Sequence, residues 1–132
     1  MTRYMLDTNA TSALVKDNAN VTKRLITAPA ISLCISAITE GEICFGLAKR
    51  PEAKKLHRVV TEILLRVDVL PWNHEVAQVY GNLRAELESV GKQPGPVNIL
   101  TAAHALQVGA VFITSDRAFQ YVAGLVVEDW GA

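Results

Sequence analysis

The stretch GPVNILTAAHALQVGAVFITSDRAF, residues 95–119, decides how this chain folds. Gly95-Pro96 makes a turn whose proline is pre-set for the first position of a helix, and the apolar run behind it continues that helix over 97–109. Asn98 stands in the first turn as a short polar residue in an otherwise apolar segment. AVFIT (110–114) then reads as a strand, and Asp116 follows its end by two residues.

The same alternation extends outward. RYML (3–6) and ISLCIS (31–36) read as the first two strands, RVDVL (66–70) as a third, and GLVVED (124–129) as the one that closes the sheet. A helix begins after Pro51 and ends in TEILLR. The clearest helix covers 74–90, where Val76, Val79, Tyr80, Leu83, Leu87 and Val90 follow the i, i+3, i+4, i+7 stripe. Asn73 caps its start and Gly91 its end. Strands separated by helices need right-handed crossovers and therefore a mainly parallel sheet covered on both faces. The expected fold is α/β, a three-layer α/β/α sandwich. Ligands of such folds gather beyond the carboxyl ends of the strands.

The 132 residues are expected to form a single domain over 1–132, long enough for a substantial core. Half of them are hydrophobic and 20% are charged, which excludes an intrinsically disordered chain. Thirteen basic residues balance thirteen acidic ones, so net charge alone announces no nucleic-acid binder. MTRYMLDTNA lacks the apolar core of a secretory leader and no run approaches a membrane span. A cytoplasmic protein without membrane contact is expected. Cys34 and Cys44 read as two buried free thiols.

Several acidic residues fall where ligands gather. Asp7 follows the first strand, Asp116 follows AVFIT, and Glu40 and Glu42 lie in the helix from Ser36. Each alone is ordinary cap, turn or solvated-helix chemistry. Together they repel unless a cation offsets them, and an oxygen-rich set suits a hard divalent ion, Mg²⁺ or Mn²⁺. Such an ion orients water and stabilises charge on a phosphoryl group.

YMLDTNATSALV, ISAITEGEICFGLAKR, GPVNILTAAHAL and VFITSDRAF, in this order and spacing, resemble PIN-domain ribonucleases, in particular the VapC toxins of bacterial toxin–antitoxin modules. The resemblance covers essentially the whole chain. It implies a PIN fold, a carboxylate cluster holding Mg²⁺ or Mn²⁺, and endonucleolytic cleavage of RNA. Carried over by position, Asp7, Glu42 and Asp116 match acidic members of the cluster, and Glu40 does not. Asn98 departs from the pattern, because VapC-like sequences usually carry Asp there. The amide is nearly isosteric but removes the charge, so it holds a hard cation less well. Either the chain is a natural variant that tolerates an amide, or it is a deliberately disarmed nuclease, and the intact remainder of the motif set favours the second.

Around these residues, Thr114 and Ser115 are expected to support the site beside Asp116, and Asn9 to support Asp7, with strand-end turn chemistry as the competing role. His104 reads as a buried, hydrogen-bonded helix histidine, and His57 and His74 carry no pattern. KRPEAKKLHR (49–58) gathers Lys49, Arg50, Lys54, Lys55 and Arg58 against one glutamate, either a solvated helix face or a phosphate-holding patch. The helix of Glu42 carries Ile38, Ile43, Cys44, Phe45 and Leu47, more apolar surface than one sheet covers, which points to an interface.

The resemblance further implies a homodimer, a VapB-type antitoxin whose C-terminal segment covers the site, operator DNA bound through that antitoxin, and tRNA, cut in its anticodon stem-loop, as substrate. A catalytically silent PIN scaffold that works by binding antitoxin is the alternative. A phospho-acceptor domain is disfavoured, since GLVVEDWGA has no lysine, and a D-x-D phosphatase is disfavoured because Asn9 holds the second acid position.

Overall fold

The computed structural model of the protein describes residues 2–16 and 32–131. Strand β1 (Tyr4–Leu6) leads into helix α1 (Thr8–Val15); β2 (Leu33–Ser36) leads into α2 (Ala37–Ala48) and α3 (Lys54–Arg66). Strand β3 (Asp68–Leu70) is followed by α4 (His74–Ser89) and α5 (Pro96–Val108), then β4 (Val111–Ile113), a 3₁₀ turn (Arg117–Tyr121) and β5 (Val127–Glu128). The five strands pair in parallel in the order β3-β2-β1-β4-β5. The expected parallel α/β sheet is thus present. Sequence order reverses direction between β1 and β4, and at such a switch point the helices diverge and leave a crevice.

Both faces of the sheet are buried, and the strands show it by alternation. Met5, Cys34 and Phe112 join Val76, Leu83, Leu87 and Ile99 in a core beneath α4 and α5. Leu6, Leu33, Ile35, Val111 and Ile113 point the other way, with Ala10, Ala13 and Leu14 of α1, Ile43 of α2 and Leu64 of α3. Successive side chains of a strand face opposite sides, so the central strands β1 and β4 feed two cores with hydrophobic residues on both faces. Phe119 closes the first core edge-on to Phe112, with ring centroids 5.5 Å apart.

The caps follow the sequence. Asn73 accepts a hydrogen bond from the Val76 N–H (3.1 Å), and Gly91 ends α4 at φ +73°. Gly109, at φ +71°, turns α5 into β4 within two residues, with the Ala110 N–H returning to the Ala105 carbonyl (2.9 Å). Alanines at 102, 103 and 105 are fully or almost fully buried and allow α5 to lie close against the sheet.

Several boundaries differ from expectation. AVFIT contributes three paired residues, because Thr114 already turns its hydroxyl to the Asp116 N–H (3.1 Å). GLVVED shortens to Val127–Glu128, since Gly124 at φ +82° and the Leu125 N–H bond to Val122 hold its front half in a turn. Helix α3 claims Arg66, so β3 begins at Asp68. Ile31 of the expected second strand lies outside the described residues. Cys34 is buried, and burial pushes its thiol up to about 11, which keeps it protonated and unreactive. Cys44 corrects the reading of two buried thiols. It is exposed, because it sits on the outer side of α2, away from the sheet.

Candidate active site

Asp7 is the hub. It follows β1, and as the N-cap of α1 its Oδ1 accepts a hydrogen bond from the Ala10 N–H at 2.6 Å. Its own N–H donates to the Ile113 carbonyl at 3.0 Å, fixing the strand end against β4. The side chain is fully buried, and Oδ2 has no hydrogen-bond partner. Burial raises the carboxyl pKa above its ordinary value. The Ala10 N–H pulls it back, as does the nearby Thr114 hydroxyl, which lies outside hydrogen-bond geometry with Oδ2, and the negative charges of Asp116 and Asp129 raise it further. The cap reading and the reactive reading of Asp7 therefore both hold, one on each oxygen.

Asp116 repeats the design on β4. Its Oδ1 caps the 3₁₀ turn through the Ala118 N–H (3.0 Å), leaving its second oxygen for other work. Asn9, Thr114 and Ser115 join Asp7 in lining a cavity of about 80 Å³, bounded beyond them by Asp129 and Trp130. A volume of that size holds an ion with one or two waters, at about 30 Å³ per water.

Glu42 and Glu40 are separated by the geometry of α2. Two residues turn a helix by roughly 200°, so the two carboxylates leave on nearly opposite sides. Glu42 faces α1, in a groove of about 320 Å³ shared with Thr8, Ser12 and Lys16 of the α1 segment and with Lys49 and Arg50. Among the described residues, the buried side-chain oxygens without partners are Asp7 Oδ2, Thr8 Oγ1 and Thr39 Oγ1. All three sit at the start of a helix that follows β1 or β2, on the edge where the sequence placed the site. Buried oxygens are ordinarily satisfied, and of these three Asp7 lines the small cavity and Thr8 the groove of Glu42.

Asn98 occupies the third position of α5, part-buried. The Trp72 Nε1 donates to the Leu100 carbonyl at 3.0 Å, which holds the first half of α5 near the residues that follow β3. The Asn98 carbonyl accepts from the Thr101 hydroxyl (3.2 Å). Among the described residues no three His, Cys, Asp or Glu side chains stand close enough to hold a metal ion together. Asp7 and Asp116 are brought together, Glu42 opens on the adjoining groove, and position 98 carries an amide. Each aspartate commits one oxygen to a cap, which fixes its direction.

His104 is buried, and its Nδ1 lies 2.8 Å from Ser36 Oγ, tying α5 to the end of β2. Burial lowers its pKa, so it is neutral at pH 7 and structural, as expected. Lys54, Lys55 and Arg58 are exposed along α3, while Lys49 and Arg50 open on the Glu42 groove. Lys49 also lies over the Phe45 ring at 4.6 Å, and Phe45 is 59% exposed. The apolar excess of α2 is thus at the surface.

Two contributors went unnoticed in the sequence. Lys16 adds a cation to the groove, and Asp129 adds a carboxylate to the cavity. Asp129 escaped because GLVVED reads as a strand through 129, whereas β5 ends at Glu128 and leaves Asp129 just beyond it.

The structure is an α/β domain whose parallel sheet carries two aspartates, Asp7 and Asp116, at the carboxyl edge beside its switch point. The chain belongs to the PIN-domain family, whose model matches residues 4–125. Within that family its relatives are VapC ribonucleases. It is 31% identical over 131 residues to the "tRNA(fMet)-specific endonuclease VapC" of Shigella flexneri, covering 98% of this chain and 99% of the other. It is equally 31% identical over 131 residues, with the same coverage, to "Ribonuclease VapC2" of Haemophilus influenzae. The fold is similar to DNA-bound VapBC from Salmonella typhimurium, with a TM-score of 0.88, 32% identity and 98% and 99% of the two chains covered. VapBC-1 from Haemophilus influenzae gives 0.85 at 30% identity, covering 99% and 100%.

Proposed function

We propose that this chain is the toxin of a VapBC-type module, an endoribonuclease that hydrolyses RNA phosphodiester bonds with Mg²⁺ or Mn²⁺, working as a single PIN-like domain over 1–132. The observation that carries the reading is the fully buried, unpartnered Oδ2 of Asp7, set among like charges at the sheet's switch point. A carboxylate in that state is explained by a cation, and the oxygen-only donor set fits a hard one. Asp7 and Asp116 would hold the ion, Glu42 would reach it from across the groove, and position 98 would complete the set.

When bound, the ion supplies charge stabilisation to the phosphoryl group and a more acidic water. The chain's own residues do the rest. Thr114, Ser115 and Asn9 line the cavity and orient polar groups of the substrate or solvent there. Lys16, Lys49 and Arg50 hold backbone phosphates along the groove, with Lys54, Lys55 and Arg58 extending the basic surface over α3. The relatives named for tRNA(fMet) make tRNA the first substrate to try, at the anticodon stem-loop.

The exposed Phe45 and Cys44 on α2 support a homodimer or antitoxin-covered face. Solved neighbours bound to DNA support an assembly that reaches operator DNA through a VapB-type antitoxin. Among the described residues no helix is long and apolar enough to cross a membrane.

Asn98 specifically favours a second reading, a silent scaffold that binds antitoxin without cutting. Expression without antitoxin of the chain with Asn98, with Asn98→Asp and with Asp7→Asn separates them. Growth arrest and tRNA loss that strengthen with Asn98→Asp and vanish with Asp7→Asn support the nuclease. Intact tRNA with both residues at position 98 refutes it.

A further inference from the structure

We propose that Asp129 is a further residue of the cation site and supplies negative charge that position 98 lacks. The inference rests on the cation-dependent reading above. The register of the sheet carries it. Leu6 pairs with Ile113 and Ile113 with Glu128, and the Asp7 and Thr114 N–H groups donate to the Ile113 and Glu128 carbonyls, both at 3.0 Å. Asp7, Thr114 and Asp129 therefore stand in one row across the carboxyl edge, at about 4.8 Å per strand.

Asp129 lines the same cavity of about 80 Å³ as Asp7, whose buried Oδ2 is without a partner. The ion pairs among the described residues, Arg66–Glu62, His74–Glu75 and Arg84–Glu88, lie on exposed helix surfaces and neutralise nothing at this edge. The position of Asp129 is not left to a loose terminus. The next residue, Trp130, is buried against Tyr4 with ring centroids 5.4 Å apart, and its Nε1 donates to Glu128 Oε1 at 2.9 Å. The Gly131 N–H donates to Asp129 Oδ1 at 3.0 Å, leaving Oδ2 for the cavity side. Asp129 is exposed, so it acts on a hydrated ion through its charge. A hydrated Mg²⁺ needs one or two direct carboxylates and tolerates such an arrangement.

The competing role is a turn residue that holds Gly131, and the test separates the two. Mn²⁺ binding by the full metal-free chain is measured calorimetrically for the unmodified protein, Asp129→Asn, Asp7→Asn, Asn98→Asp and the Asn98→Asp/Asp129→Asn double variant. Melting is followed in EDTA alongside. Asp129→Asn keeps an Oδ1 for Gly131, so its melting in EDTA should stay level or rise as repulsion falls. Its Mn²⁺ affinity should drop about 10-fold, within the range seen for groups supporting a metal site. Asn98→Asp in that background should restore most of the loss.

Unchanged affinity in Asp129→Asn, with binding abolished by Asp7→Asn, overturns this inference and leaves the nuclease reading standing. A lower melting temperature in EDTA without an affinity change assigns Asp129 to the turn. An affinity loss that Asn98→Asp does not recover overturns the substitution of one charge for the other. Absence of Mn²⁺ binding by the unmodified chain overturns the inference and the cation site together.

Discussion

Replacing Asp7 by Asn should make the metal-free protein more stable while destroying its function. Asn keeps an oxygen for the Ala10 N–H, so the α1 cap survives. What changes is the second position, where a buried, unpartnered, negatively charged oxygen becomes an amide nitrogen. An unsatisfied buried polar group costs about 1–3 kcal/mol, more when charged. Repulsion from Asp116 and Asp129 is relieved at the same time. Allowing for imperfect placement of the new NH₂, a net gain of about 1–2 kcal/mol is expected. In a chain of 132 residues that corresponds to a rise of roughly 3–10 °C in melting temperature. Calorimetric melting in EDTA measures it. With Mg²⁺ or Mn²⁺ added, the unmodified protein should gain stability by mass action and the variant should not. RNA cleavage by Asp7→Asn should fall by at least about 100-fold, the scale of losing one charge-stabilising group. A variant that melts lower than the parent in EDTA would sink the reasoning, because it would make the carboxylate a structural asset.

The pH dependence of the chelated protein carries opposite signs from two residues. The Asp7 pKa is raised, so above 3.8 the folded state holds more protons than the unfolded one and stability falls as pH rises through the folded value, a slope that Asp7→Asn should remove in urea titrations. The His104 pKa is lowered, so stability should fall as pH drops below 6.5. His104→Leu should flatten that acid limb while costing about 1 kcal/mol, since the Ser36 hydroxyl loses the ring but still accepts from the Ile38 N–H, and an unaltered acid limb contradicts the assignment. Reversing Lys49 and Arg50 to Glu should raise KM more than it lowers kcat and reduce the salt slope of binding, with a smaller effect from Lys54 and Lys55. Equal KM values for the parent and the groove variant rule out phosphate contacts there. Phe45→Glu should shift the protein toward monomer in sedimentation if α2 is the interface, and an undisturbed dimer places the interface elsewhere.

Composition and periodicity alone determined the class of fold. Apolar runs of strand length between helical stripes admit little besides a parallel sheet covered on both faces, because the alternation that feeds two cores leaves no face for water. The caps at Asn73 and Gly91 were legible for the same local reason, since a cap is satisfied by its own neighbours. The candidate site was legible where an acid falls at or just past a strand end, directly after β1 for Asp7 and a short turn beyond β4 for Asp116.

Tertiary structure decided what depends on residues distant in sequence. Glu40 and Glu42 look alike on an α2 that is apolar all round, and only the position of α1 shows which one faces the groove. Cys44 read as buried because hydropathy cannot tell a core from an uncovered face. Asp129 stayed hidden because its partnership with Asp7 passes through two strand registers, and no local pattern records the order β3-β2-β1-β4-β5. The alternation of residues chose the layers, and the pairing of strands chose which charges share an edge.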